Sequence, residues 1–200
     1  MGLFDKFARY TGPGEEANSF NAEEFGTPAK SLFTSTTVMQ LFHHIDVKDG
    51  DDNLLYQSES KFPSLHDKTD ITDASGRQVA HMERKLFSLH DKHTVTMENG
   101  TEFELSNELF HVVKDVINIE GLGWQIRGNI LAVNFRLYDQ DDNIIAVISQ
   151  KIMTALDQFR IDLYKPEYEE TVVAILITLQ HILRDRENTE TTTSGAVSSD

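Results

Sequence analysis

The segment KPEYEETVVAILITLQHILRDRE, near the end of the chain, limits the possible folds more than any other feature. Pro166 and three glutamates precede its apolar part and two arginines follow it, which is the charge distribution that a helix dipole favours. Residues 172–183 are apolar on almost every side, so a helix here must be buried on every side. These 12 residues would form a helix about 18 Å long, whereas a helix that spans a bilayer core needs about 20 residues, or about 30 Å. We therefore predict a helix over residues 167–184 inside the protein.

The rest of the chain has the pattern of a β-sheet protein. Sequences that favour tight turns, such as DGDDN, DASG and ENG, separate stretches with the length of strands. In NILAVNFRLYD, the apolar residues Leu131, Val133, Phe135 and Leu137 alternate with residues that point the other way. One buried helix surrounded by strands indicates a mainly β fold, a closed antiparallel β-barrel with the helix at its core.

The sequence SLHDK occurs at residues 64–68 and again at 88–92, within a longer repeated pattern. Serine, histidine and aspartate side by side suggest a hydrolase. In a strand, however, Ser88 and His90 would share one face and Asp91 the other, so the aspartate could not orient the histidine. A third copy has Leu156 at the histidine position. We interpret the motif as structural and predict no catalytic residues, which leaves a small hydrolase as a remote alternative.

Metal and cofactor sites are not indicated by the sequence. The chain has no cysteine, so it has neither a disulfide framework nor a thiolate metal site. Its eight histidines, including His90 and His93, show no spacing diagnostic of zinc. DVKDGDDN resembles a calcium loop but lacks the glycine and the closing glutamate of an EF-hand. We predict no metal and no cofactor.

Four stretches occur in an order that resembles the LURP-one-related family: WQIRGN, FRLYDQDDNIIAVISQK, LDQFRIDL and the hydrophobic C-terminal helix. That family belongs to the tubby C-terminal-like superfamily, together with the phospholipid scramblases. The likeness extends over residues 31–187. It implies a closed, mostly antiparallel β-barrel around a central hydrophobic helix, as expected from the strands and helix above. The family offers no established catalytic residues.

We expect three parts in the chain. Residues 1–30 form an N-terminal segment with one short amphipathic helix, residues 31–187 form the tubby-like barrel domain, and the Thr/Ser-rich residues 188–200 form a disordered tail. A secretory signal pattern is not visible at the N-terminus, and a cytoplasmic location is expected.

Charge limits the partners that the protein can bind. With 18 Lys and Arg against 33 Asp and Glu, the formal net charge is −15, which disfavours nucleic acid and anionic lipid. We predict a non-enzymatic binding or scaffold protein with an unknown protein partner or small ligand. The alternative, a peripheral phospholipid- or phosphoinositide-binding protein, is implied by the resemblance because tubby proteins bind phosphoinositides through basic residues on the barrel wall. The candidate lipid contacts are Lys61, Lys85, Lys151 and Arg136.

Overall fold

The structure is a computed structural model of the 200-residue chain. It describes residues 25–35, 44–60, 68–85, 92–106, 116–130, 134–151 and 158–194, and all structural statements below refer to these residues. The predicted N-terminal amphipathic helix lies outside them.

Twelve strands of the described residues form one antiparallel sheet. In chain order they are β1 (Lys30–Ser35), β2 (His44–Lys48), β3 (Leu54–Ser60), β4 (Lys68–Asp73), β5 (Gln78–Lys85), β6 (Lys92–Met97), β7 (Glu102–Ser106), β8 (Val116–Ile119), β9 (Trp124–Asn129), β10 (Asn134–Tyr138), β11 (Ile144–Lys151) and β12 (Gln158–Leu163). A short 3-10 turn, Pro166–Tyr168, leads into the α-helix α1, Glu169–Ser194.

The sheet curls into a nearly closed barrel. Its strand order is β7-β6-β5-β4-β3-β2-β1-β12-β11-β10-β9-β8, so most neighbours in the sheet are also neighbours in the chain. The first and last strands of the chain, β1 and β12, are neighbours in the middle of the sheet, where Leu32 lies opposite Ile161. The predicted antiparallel barrel with one C-terminal helix is confirmed.

Helix α1 fills the inside of the barrel. All residues from 172 to 182 are buried, on every side of the helix, as the sequence predicted. Burial of each Val, Leu or Ile side chain away from water contributes about 1.5–3 kcal/mol to the stability of the folded protein. The Thr178 hydroxyl donates a hydrogen bond to the Ala174 carbonyl at 2.7 Å, so a polar group is accommodated in this apolar segment. Within the described residues, no helix is both long and apolar enough to cross a bilayer.

The helix differs from the prediction at both ends. It begins two residues later than expected, because Pro166–Tyr168 form the 3-10 turn, and it continues to Ser194. Between Arg184 and Gly195 the chain contains neither glycine nor proline, the residues that most readily end helices. Residues 188–194, predicted to belong to the tail, are therefore helical.

Alternation along the strands separates the interior of the barrel from its outer surface. In β10, Phe135 and Leu137 are buried against the interior, and Arg136 between them is only partly buried. The alternation expected from NILAVNFRLYD therefore holds over β10 only. The stretch is not one strand, because Asn129 ends β9 and pairs with Asn134 at the start of β10, and residues 131–133 lie outside the described residues.

Candidate functional sites

The antiparallel order of the strands sorts their connections to two ends of the barrel. One end, which we call the turn rim, carries residues 49–53, 73–77, 98–101, 120–123, 139–143 and 164–168. The opposite end, which we call the lysine rim, carries the strand-terminal residues Lys68, Lys85, Lys92 and Lys151. Connections at the lysine rim lie outside the described residues. The turn rim is acidic; its acidic residues include Asp49, Asp51, Asp52, Asp73, Glu98, Glu120, Asp139, Asp141, Asp142 and Glu167.

Three turns of the turn rim have the same hydrogen-bond pattern. Each begins with an aspartate, Asp49, Asp73 or Asp139, whose carboxylate accepts the backbone N–H groups two and four residues later. The six donor–acceptor distances lie between 2.8 and 3.1 Å. These side chains therefore act on their own backbone, as expected for aspartate at the start of a turn.

The three turns also share a left-handed residue at their fourth position. Its φ is +67° at Asp52, +85° at Gly76 and +65° at Asp142. Aspartate tolerates this region better than most residues, and glycine adopts it without a steric cost. DGDDN, DASGR and DQDDN are thus three sequence solutions for one turn geometry.

Asp139 also accepts a hydrogen bond from a charged residue outside its own turn. The Lys165 ammonium donates a hydrogen bond to it at 2.5 Å and is the largest cause that holds the pKa of the Asp139 carboxyl well below its ordinary value. Hydrogen bonds from Asn143 and Asp141 act in the same direction. This contact ties the 139–143 turn to the segment that enters α1.

Glu169, the first residue of α1, is anchored to two strands. The Lys30 ammonium donates to both of its carboxylate oxygens, at 2.7 and 2.8 Å, and the Tyr56 hydroxyl donates at 2.9 Å. Burial raises the pKa of the Tyr56 phenol, and the negative charge of Glu169 raises it further. The beginning of the helix is therefore fixed against β1 and β3.

Arg77 is a second anchor of the helix. Its guanidinium contacts Glu170 at 2.5 Å, Asp73 at 2.9 Å and the carboxylate of Glu98. Hydrogen bonds to these three carboxylates raise the pKa of the Arg77 guanidinium, and the bond to Glu170 has the largest effect. One side chain thus connects two turns of the turn rim to α1.

These anchors border a recess of about 330 Å³ at the turn rim. Tyr56, Glu98, Asn99 and Glu169 are among the residues that line it. Glu98 and Glu169 are engaged by Arg77, Lys30 and Tyr56, so their carboxylates serve to hold the helix. The described residues contain no group of three or more His, Asp or Glu side chains arranged to hold a metal ion.

The described structure does not test whether the four predicted lipid contacts, Lys61, Lys85, Lys151 and Arg136, come together. Lys85 and Lys151 end β5 and β11, so both belong to the lysine rim, but in different parts of the sheet. Lys61 and the side chains of Lys85 and Lys151 lie outside the described residues. Arg136 lies on the wall of the barrel, with its guanidinium 5.0 Å from the centre of the Phe25 ring. A lipid contact at these residues stays a prediction.

The two SLHDK motifs lead into strands. Lys68 is the first residue of β4 and Lys92 the first of β6, whereas residues 64–67 and 88–91 lie outside the described residues. The structural interpretation of the motif therefore also stays a prediction. Among the described histidines, His81 is paired with Asp70 at 2.6 Å.

The anchors of the helix could be predicted only in part. The glutamates after Pro166 gave a local signal, because acidic residues favour the start of a helix. Arg77 gave none, since Glu98 and Glu170 lie 21 and 93 residues away in the chain. Only the folded barrel brings these three residues together.

Comparison with known proteins identifies the family. The family model described as LURP-one-related matches residues 30–180, which include all twelve strands and the first part of α1. The chain belongs to the LURP-one-related family. None of the curated proteins compared with the chain matches it.

One similar solved structure is the X-ray structure of a protein from Arabidopsis thaliana. It is 15% identical in sequence, the alignment covers 78% of this chain and 95% of that chain, and the TM-score is 0.46. The LURP-one-related match includes the barrel together with the start of its central helix.

Proposed function

We propose that this LURP-one-related protein is a non-enzymatic binding or scaffold protein that contacts a protein partner through the outer surface of its barrel. The observation that carries the proposal is the filled interior, where residues 172–182 of α1 are buried on every side. Barrels that bind small ligands keep a cavity or channel inside. Here the helix of the same chain takes that space.

Charge indicates the kind of partner. The formal net charge of −15 and the acidic turn rim favour a basic protein segment over nucleic acid. Three carboxylates that line the turn-rim recess, those of Glu98, Glu169 and Glu170, are used to anchor α1, which supports an architectural role for that recess. A cytoplasmic location is part of this proposal.

The filled interior can be tested directly. We expect no saturable binding of fatty acids or apolar dyes to the folded protein and no turnover of a panel of ester, phosphoester and glycoside substrates. Binding of an apolar ligand that is weakened by Ile175→Val, or turnover that survives repurification, would contradict the proposal.

Partner binding tests the role of the outer surface. The protein is used as bait in an extract, together with the triple variant Asp51→Lys, Asp141→Lys, Glu167→Lys, which changes three exposed residues of the turn rim. Ile175→Val is the matched control, since it alters only the interior. We expect partners to be retained by the control and weakened by the triple variant at equal melting temperature. The reverse order of loss would overturn the proposal.

Peripheral binding to anionic phospholipids is a second candidate, and the lysine rim is the observation that favours it. Four strands end or begin there with lysine. Two of these lysines already have acidic partners, however. Lys68 lies 3.4 Å from Glu83, and Lys92 contacts the carboxylates of Glu104 and Glu120.

A further inference from the structure

The sheet has two terminal strands, β7 and β8, which face each other across a gap that we call the seam. One isolated bridge joins them, with a hydrogen bond of 3.0 Å from the Glu104 N–H to the Glu120 carbonyl. If the antiparallel ladder continued toward the lysine rim, Asn118 would pair with Ser106. These two described strands form no such pair, so the ladder between them ends after one bridge.

The turn-rim end of the seam is held closed. Gly121 follows the bridge at a φ of +96°, and a Cβ atom there would lie 2.4 Å from the Glu102 carbonyl oxygen. On the outer surface, the Lys92 ammonium lies 2.9 Å from Glu104 and 3.3 Å from Glu120, so it links both sides of the seam. These contacts hold one end only.

Strand β8 directs backbone groups into the seam. Successive residues of a strand direct their N–H and C=O groups to alternate sides, and the Glu120 carbonyl points toward β7. The backbone groups of Val116 and Asn118 therefore point to the same side, while β9 pairs with β8 on the other. Val116 is 42% exposed, the one exposed large apolar side chain among the described residues. An edge of this kind is a template for pairing with another strand.

We propose that the seam-facing edge of β8 binds an extended segment of a partner protein by strand addition. The inference rests on the proposed function and deepens it by naming the surface and the chemistry of the partner. Main-chain hydrogen bonds to Val116 and Asn118 supply the affinity, and the side chains that alternate along the added strand supply the specificity.

Charge and burial define the partner segment. On the outer surface of the seam, the carboxylates of Glu104 and Glu120 lie side by side at the Lys92 ammonium, in a chain with a formal net charge of −15, which favours a basic partner. On the inner side, Ile117 and Ile119 are buried. The segment that fits alternates basic residues, which face outward, with apolar residues, which face the interior.

The chain itself offers the competing occupant. Residues 107–115 connect β7 to β8 and lie outside the described residues. If they pair with β8, the amides of Val116 and Asn118 are already hydrogen-bonded in the free protein. Residue-resolved hydrogen exchange distinguishes the two cases.

The first measurement is amide exchange by NMR on the free protein. We expect the amides of Val116 and Asn118 to exchange at least about tenfold faster than those of Ile117 and Ile119, which face β9. Equal protection of all four amides would show that the chain covers its own edge, and would overturn the proposal.

The second measurement uses the peptide acetyl-(Val-Lys)3-amide as the probe. We expect it to slow exchange at Val116 and Asn118 by at least about tenfold and to leave Ile117 and Ile119 unchanged. A control peptide with the same side chains, N-methylated at its three lysine amides, should bind at least about tenfold more weakly. In an antiparallel ladder with the lysines facing outward, these are the N–H groups that point toward β8, so the methylated peptide cannot donate to that strand. Equal binding of both peptides, or binding without slower exchange at β8, would assign the effect to charge alone and overturn the proposal.

Two variants at one position complete the test. Val116→Pro removes the seam-facing N–H at the first residue of a strand, where proline is tolerated. Val116→Thr keeps both the N–H and the β-branched shape. We expect Val116→Pro to weaken peptide binding at least about tenfold and Val116→Thr to retain it. Equal binding of the peptide by the two variants would contradict the proposal. If Val116→Pro fails to fold, the comparison of the two peptides on the wild-type protein still tests whether main-chain hydrogen bonds to β8 are formed.

Failure here is distinguishable from failure of the proposed function. If the peptide does not bind but the protein still captures partners through its outer surface, strand addition at the seam is wrong and the proposed function stands. An apolar ligand bound inside the barrel rejects the proposed function whatever the peptide does.

Discussion

Gly121 shows how one residue can decide whether the barrel closes. Its φ of +96° is strained for any residue with a side chain, and an added Cβ would also clash with the Glu102 carbonyl. Gly100 has a similar φ of +84° but open space around it. We therefore expect Gly100→Ala to cost about 1 kcal/mol of unfolding free energy, the penalty of a left-handed conformation. Gly121→Ala should cost clearly more in urea denaturation, and equal costs would mean that the close approach to β7 is unimportant.

Asp139 gives a residue-scale prediction for pH. Its pKa is lower in the folded protein than in the unfolded chain, mainly because of Lys165. The stability that it contributes is therefore fully present above its unfolded pKa of about 3.9 and is lost as the pH falls through the lower folded value. We expect Asp139→Asn to cost about 1 kcal/mol at pH 7 and less at pH 3, measured by urea denaturation. Asp141→Asn, in the same turn, is the control and should change little, and a cost for Asp139→Asn that does not shrink at pH 3 would contradict the prediction.

At the scale of single residues, the turns were the part of the molecule that the sequence predicted best. DGDDN and DASG form tight turns as predicted, and DQDDN forms the same turn, because in each of them the first aspartate binds its own backbone locally. Ion pairs such as Arg77 with Glu170 could not be read in this way. Their partners become neighbours only when distant strands and the helix have assembled.

Helix α1 is the element on which the fold depends, and Ile175 lies completely buried within it. We expect Ile175→Asp to abolish folding, because an unpaired buried charge costs several kcal/mol against a total stability of about 5–15 kcal/mol. Ile175→Val is the matched control and should cost only about 0.5–1.5 kcal/mol. Circular dichroism and thermal melting report both, and a melting temperature for Ile175→Asp within a few degrees of wild type would mean that the helix is not central.

The ends of that same element were less predictable than its middle. The apolar run 172–183 predicted burial on all sides, since burial of an all-round apolar helix has few solutions. The position of its last residue depends on weak preferences, because the Thr-rich segment after Arg184 neither favours nor stops a helix. The helix therefore extends to Ser194, beyond the predicted end.

At the scale of the whole molecule, the antiparallel order gives the barrel two chemically different ends. All strands run alternately between the rims, so acidic turn sequences collect at one end and four strand-terminal lysines at the other. The sequence showed each turn and each lysine separately. Their sorting follows from the order of the strands in the sheet, and so does the seam, because only the folded sheet shows which two strands are terminal.

We expect the protein not to bind anionic membranes at physiological salt. Each Lys or Arg near an anionic surface contributes about 1 kcal/mol, within a Debye length of about 8 Å. Of the four strand-terminal lysines at the lysine rim, Lys68 and Lys92 are already paired with glutamates, whereas stable attachment needs several basic residues together or a lipid anchor. The measurement is pelleting with vesicles, with and without phosphoinositide, at about 0.15 M and at lower salt. Micromolar, salt-sensitive association that is lost in Lys85→Glu and kept in Lys48→Glu, a control at the turn rim, would replace the scaffold proposal with the lipid-binding one.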